Sequence, residues 1–336
     1  MKRHLLIYPC LWLIVLLSCS NGDDDIINDN MVESDTIIVN KRDTIIDDQD
    51  TIIIENDTKS KIGSIILDED ETIGFHIEKI VYWMKQVGGS HSKQGGDAFN
   101  GYLFQLQSGH SFVDIYDIKN KTLIATRDIN FNGSYHCNNV DFSNTFYNPH
   151  DEFPLLYSSQ QNRYVRCIIA DRITQQTGDY MMETVQRIDL PFEDEVPLQY
   201  TPDAVIDKKN GFIYVYTGNT IPITDFYIYQ FRLPSIEDGE VVKLKEEDII
   251  SKWVVKDNPA YYKQGGIMRD GVLITLEGMS DNKMRIIDLE NHRYKLIDLK
   301  KDYGANWEPE DIFEIDDQLF LVSSGQGIYQ VVLSNE

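Results

Sequence analysis

Lys93-Gln94-Gly95-Gly96 stands in the stretch SHSKQGGDAFNGYLFQLQSG (90–109), and the same four residues return as Lys263-Gln264-Gly265-Gly266 in AYYKQGGIMRDGVLITLEGM (260–279). The copies lie 170 positions apart (263 − 93), and Gly101 follows the first by the same interval as Gly271 follows the second. Each copy leads through a Gly turn into an apolar run rich in Val, Ile, Leu and Phe, which is strand chemistry. A corner written twice, with the same turn after it, marks a repeated structural unit.

The unit recurs elsewhere in weaker form. A polar start leads to a strand, a turn with Gly or Asn-Gly, a second strand, a third of the form φ-x-φ-x-D-φ, and a fourth ending near Ile-Asp-Leu. FVDIYDIKNKTLIATRDI and NKMRIIDLENHRYKLIDL supply the later strands of two units, with Ile115 and Asp117 aligned on Ile286 and Asp288. A second unit runs from His136 through YVRCIIADRI; a third begins PDAVIDKKNGFIYVY; a fifth begins WEPEDIFEIDDQLFLVSS. Starts near 94, 136, 202, 264 and 307 give spacings of about 40 to 65 residues with four strands each, the dimensions of propeller blades. The expected fold is an all-β, five-bladed β-propeller over 76–336, with a pair of β-sandwiches as the alternative. No long stretch carries a capped helical period; LKEEDIISKW around Glu246 offers a turn or two.

The fifth unit stops after three strands. Ile77–Met84 (IEKIVYWM) precedes the first unit and belongs to none, so it is expected to supply the missing outer strand and close the ring. Closure removes the free edges that invite aggregation. Cys137 and Cys167 fall on the first and third strands of one blade, about 9.6 Å apart at strand spacing, beyond the roughly 7 Å reach of a disulfide. They are expected to be unpaired thiols.

The N-terminus reads MKRHLLIYPCLWLIVLLSCSNGDDD. Lys2 and Arg3 precede an apolar run too short for a membrane-spanning helix, which ends at Leu16-Leu17-Ser18-Cys19. This resembles the lipobox of bacterial lipoproteins. The resemblance implies a signal peptide over 1–18 and a mature chain starting at a lipidated Cys19, anchored through several acyl chains, where a single chain is marginal. Asp23-Asp24-Asp25 resembles the signal that sends some Gram-negative lipoproteins to the outer face of the outer membrane. Residues 19–75 are expected to form a tether. Positions 20–75 hold 16 acids against 4 bases, and DTII recurs at Asp35, Asp43 and Asp50; charge that dense extends a chain and buries no core.

Residues 76–336 carry 39 acids against 25 bases. That balance excludes a nucleic-acid groove, which needs a basic stripe. No HExxH, CxxC or zinc spacing accompanies His136, His150, Asp141 and Asp151, and no phosphate loop, GxSxG or GxGxxG stands in a usable context. Neither a metal nor a cofactor is expected.

Candidate site residues follow from the repeat. Propellers place the starts of their innermost strands around a central channel. The starts here carry Gln94, His136 with Asn138, Asp203, Gln264, and Glu308 with Glu310; Trp307, Tyr135, Tyr200, Tyr261 and Tyr262 flank them. Amides and carboxylates together donate and accept, which suits hydroxyl-rich ligands. The chain resembles surface lipoproteins that carry a β-propeller, a resemblance covering the signal, the tether and the repeats. It implies glycan capture, adhesion or sensing. Five-bladed glycoside hydrolases are the second reading, with Asp203 and Glu310 as paired carboxylates. Against it, Gln94 stands where that family places its first-blade Asp, and Asp97 lies three residues further on. A protein-interaction or adhesion scaffold is the third.

Overall fold

The computed structural model describes residues 75–80, 93–107, 112–128, 136–162, 165–176, 179–192, 202–218, 225–256, 263–278, 282–304, 307–324 and 327–333. The signal sequence, Cys19 and the acidic segment to residue 74 lie outside them.

Among the described residues, twenty-one strands form five sheets. The strand β1 (Phe75–Ile80) comes first in the chain. Blade one is β2 (Lys93–Phe99), β3 (Tyr102–Gln107), β4 (Phe112–Asp117) and β5 (Thr122–Asp128). Blade two is β6 (His136–Phe142), β7 (Leu156–Asn162), β8 (Val165–Gln176) and β9 (Asp179–Asp189). Blade three is β10 (Asp203–Asp207), β11 (Phe212–Gly218), β12 (Phe226–Arg232) and, after the interposed β13 (Val241–Lys243), β14 (Ser251–Val255). Blade four is β15 (Lys263–Arg269), β16 (Val272–Glu277), β17 (Lys283–Asp288) and β18 (Arg293–Asp298). Blade five is β19 (Pro309–Ile315), β20 (Gln318–Ser323) and β21 (Gly327–Leu333), with β1 outermost. The innermost strands pack in the order β2, β6, β10, β15, β19 and back to β2, a closed five-bladed propeller. The acidic stretch at Glu246 makes a single 3-10 turn, Glu246–Asp248.

The ring closes with a strand from the expected segment, though the pairing runs over Phe75–Ile80, and residues 81–84 of the expected Ile77–Met84 lie outside the described residues. β1 pairs antiparallel with β21, from Phe75 opposite Leu333 to Ile80 opposite Ile328. Blade two departs from the repeat: β13, from the third blade's last connection, joins it in parallel on β9, with Val242 opposite Ile188. Cys137, Gln160 and Cys167 stand opposite one another across β6, β7 and β8, so a whole strand separates the two cysteines. Cys167 is a buried free thiol, pushed up to about 12 by burial.

Five apolar clusters fill the five seams between blades. Leu103 and Tyr116 of blade one meet Phe313 and Val322 of blade five, while Phe104 and Ile115, one step along the same strands, meet Phe142 and Phe153 of blade two. Both faces of a blade are therefore covered. Strands covered on both faces read as continuous apolar runs, and VLITLE of β16 is buried at every position.

The repeated corner is a two-residue turn with both residues left-handed. Asn100 and Gly101 have φ of 49° and 81°, and Asp270 and Gly271 have 48° and 81°. Positive φ at both positions is the geometry that matches the twist of a hairpin. Asp316 and Asp317 make the same corner in blade five. Upstream of it, β2, β6, β15 and β19 each carry a bulge against the next strand.

Candidate functional site

The innermost strands give the channel two ends, one where they start and one where they turn into hairpins. Gln94, Asp203, Gln264 and Glu310 stand at the start end, on four blades, and all four are buried. Gln94 Nε2 donates to the Lys93 carbonyl (3.2 Å). Gln264 Nε2 donates to Glu308 Oε1 (3.2 Å). The two side-chain carbonyls, Gln94 Oε1 and Gln264 Oε1, have no hydrogen-bond partner among the described residues. Buried polar atoms are nearly always bonded, so two matching exceptions on two blades are informative. His136 and Asn138 begin β6, but their side chains lie outside the described residues. Trp307 packs in the seam between blades four and five, its ring stacked on Tyr329 at 4.0 Å, so one indole face is already covered. Tyr135, Tyr200, Tyr261 and Tyr262 lie outside the described residues.

The lysine of each KQGG is buried at this end. Lys93 bonds Asp114 on β4, and Gln107 and Thr126 also bond that carboxylate. Lys263 has Asp203 and Glu277 as its acidic neighbours, and burial holds its pKa below the usual lysine value. Arg285, fully buried, donates to Glu277 at 2.6 Å and lies over the Phe226 ring at 4.5 Å. Blade one thus places its acid on the third strand and blade four on the second. Beside these groups, Gln105 and Thr275 occupy matching places opposite Gly96 and Gly266. Both Gln105 amide atoms and Thr275 Oγ1 are buried without a described partner. These residues belong to no motif; a Gln inside YLFQLQ, on the same strand face as Leu103, is the signal the sequence offers.

Nearer the hairpin end, carboxylates stitch neighbouring blades together. Asp97 accepts from the Phe142 amide of blade two (2.7 Å), Asp141 from the Ile206 amide of blade three (3.0 Å), and Asp311 from the Gly96 amide of blade one (2.9 Å). Lys208 reaches from the third blade's hairpin to Asp97 Oδ2 at 2.7 Å. Burial would lower the Lys208 pKa, yet Asp97 and Asp141 outweigh it and the value rises. Burial, with Asp97 adding, pushes Asp141 up to about 8. Burial also raises Asp311 well above the carboxylate range. These carboxyls are fastened to backbone amides in the walls of the channel.

A raised carboxyl pKa means that the folded protein holds protons the unfolded chain has released. Such stability is fully present below the unfolded value of about 4 and is lost as pH rises towards 8, by at most about 1.4 kcal/mol per pH unit for each group. The melting temperature is therefore expected to fall from pH 5 to pH 8. Asp141→Asn, which keeps an acceptor for Ile206, is expected to flatten that slope. Calorimetry at several pH values checks this, and parallel slopes for the two proteins would refute it.

No family model and no curated protein matches the chain. Among solved structures, a glutaminyl cyclase from Myxococcus xanthus is similar at 10% identity, over 78% of this chain and 96% of that one, with a TM-score of 0.45. A chain of a nidogen–laminin complex is similar at 9% identity, over 69% of this chain and 72% of that one, with a TM-score of 0.40. Likenesses this remote carry no functional argument; the fold rests on the strand pairings above.

Proposed function

We propose that this protein is a lipid-anchored outer-membrane lipoprotein whose propeller binds a glycan at the strand-start end of its channel. The observation that carries the reading is the pair of buried carbonyls, Gln94 Oε1 and Gln264 Oε1, which have no partner among the described residues and stand at equivalent places of blades one and four. A sugar hydroxyl donates to such an acceptor and accepts from the ammonium and amide groups beside it. Asp203, Glu308 and Glu310 add acceptors from two further blades, and His136 and Asn138 belong to the same tier of the repeat. Cys19 supplies the membrane attachment, and the acidic segment behind it holds the propeller away from the bilayer.

Isothermal titration of the mature protein against soluble oligosaccharides tests the reading, with chromatography of the mixtures to detect cleavage. Gln94→Leu and Gln264→Leu each remove a polar partner worth about 1–3 kcal/mol, so each is expected to weaken binding roughly tenfold to a hundredfold, with the saccharide recovered intact. Cleaved product would make the protein a hydrolase. Absence of binding to every saccharide would leave an adhesion scaffold.

A further inference from the structure

The hairpin end of the channel holds an open cavity of about 370 Å³ between the turns of blades three, four and five. That falls within the roughly 300–1,000 Å³ of small-molecule sites. Its wall is polar: Lys208, Lys209, Arg269, Asp270, Glu314 and Asp317 contribute, and Met268 is the only large apolar side chain among the lining residues. Each cation already has an acid beside it. Lys208 bonds Asp97, Arg269 lies 3.3 Å from Glu314, and Lys209 lies 4.0 Å from Asp270. Asp207 is occupied by the amides of its own turn. An apolar ligand gains nothing from such a wall, and an anionic one finds each lining cation already beside an acid. A neutral polyol fits, because its hydroxyls both donate and accept. The Lys208 ammonium has three donors, one of them bonded to Asp97, and its side chain is 39% exposed.

A second feature lies on the same face. The connection after β6 carries Phe146 and Tyr147, which are 40% and 42% exposed. The segment is firmly held. Asp151 takes both Nε and Nη2 of Arg172 (2.9 and 2.7 Å) and the Asn148 amide (3.0 Å), and the Arg172 guanidinium sits 5.0 Å from the Tyr147 ring centre. Two adjacent aromatics are thus fixed in the open. Phe146 packs edge-on against Phe99, two residues along β2 from the Asp97 that Lys208 grips. At strand rise that step is about 7 Å, so the residue Phe146 touches and the residue Lys208 bonds lie on one short stretch of β2.

We infer that the hairpin face is a second saccharide-binding site: one neutral sugar residue enters the cavity above Lys208, and the adjoining part of the chain lies on Phe146 and Tyr147. The ligand class is that of the reading above, but the residues and the end of the channel are different, so either site stands if the other fails.

The test is titration of the mature protein with neutral hexasaccharides of glucose, mannose, galactose and xylose. Three variants are compared: Phe146→Ser with Tyr147→Ser, Lys209→Ala with Glu314→Gln, and Gln94→Leu with Gln264→Leu. Phe146, Tyr147 and Lys209 are solvent-exposed, and thermal melts verify that each variant folds. The expected result is a probe whose binding weakens tenfold or more in both hairpin-face variants and persists in the glutamine variant. Binding that the hairpin-face variants leave unchanged, or failure of all four probes to bind, overturns the second site.

Discussion

Removing Gly327–Glu336 is expected to abolish the cooperative thermal transition of the propeller. Among the described strands β21 alone pairs with both β20 and the N-terminal β1, so its loss unfastens the join between the two ends of the chain. Its side chains also serve two seams: Tyr329 and Val331 in the core between blades four and five, and Ile328 in the core between blades five and one. Burial of a large aliphatic side chain stabilises by about 1.5–3 kcal/mol, and a typical domain is held by only about 5–15 kcal/mol. β1 would then lack a partner strand and β20, still paired with β19, would present a free edge, an arrangement that promotes aggregation. A calorimetric scan of the truncated chain checks this. An unchanged, reversible transition would mean that blade five is complete without its closing strand.

Gly265→Ala is expected to destabilise the protein by about 3–5 kcal/mol, combining the cost of overpacking with the loss of a buried hydrogen bond. A methyl group there would lie 2.9 Å from Asp311 Cβ and closer still to its carboxyl group. Rotation of the aspartate does not relieve this, because its Cβ moves only with the backbone of β19. Any shift of β19 pulls Asp311 from the Gly96 amide and loosens the seam between blades five and one. Gly101→Ala is the control. A methyl there meets nothing within 4 Å, so only the left-handed backbone is penalised, at about 1 kcal/mol. Chemical denaturation of both variants measures the difference, and equal losses would place Gly265 among the turn glycines.

Blade number and closure were legible because each blade folds by local hairpins, whose corners must carry left-handed residues: Asn100-Gly101, Asp270-Gly271 and Asp316-Asp317. The spare strand before blade one and the short unit at the end complete each other by simple complementarity. The swap of β13 onto blade two was not legible, since a three-residue parallel pairing has no turn beside it to announce it. Nor was the purpose of the KQGG lysine. Lys93 finds its acid, Asp114, on the third strand of its own blade, while Lys263 has Asp203 of the preceding blade and Glu277 of its own as acidic neighbours, so an aligned repeat hides surroundings that the folded blades reveal. The hairpin cavity is made by turns of three blades that lie far apart in the chain, and each turn by itself reads only as a turn.

A crystal structure of the mature protein soaked with its tightest-binding saccharide tests the central claim most directly. The account predicts sugar hydroxyls within hydrogen-bond reach of both Gln94 Oε1 and Gln264 Oε1 at the strand-start end. If those two carbonyls are instead bonded to the protein's own groups, with no saccharide at that end of the channel, the account is contradicted.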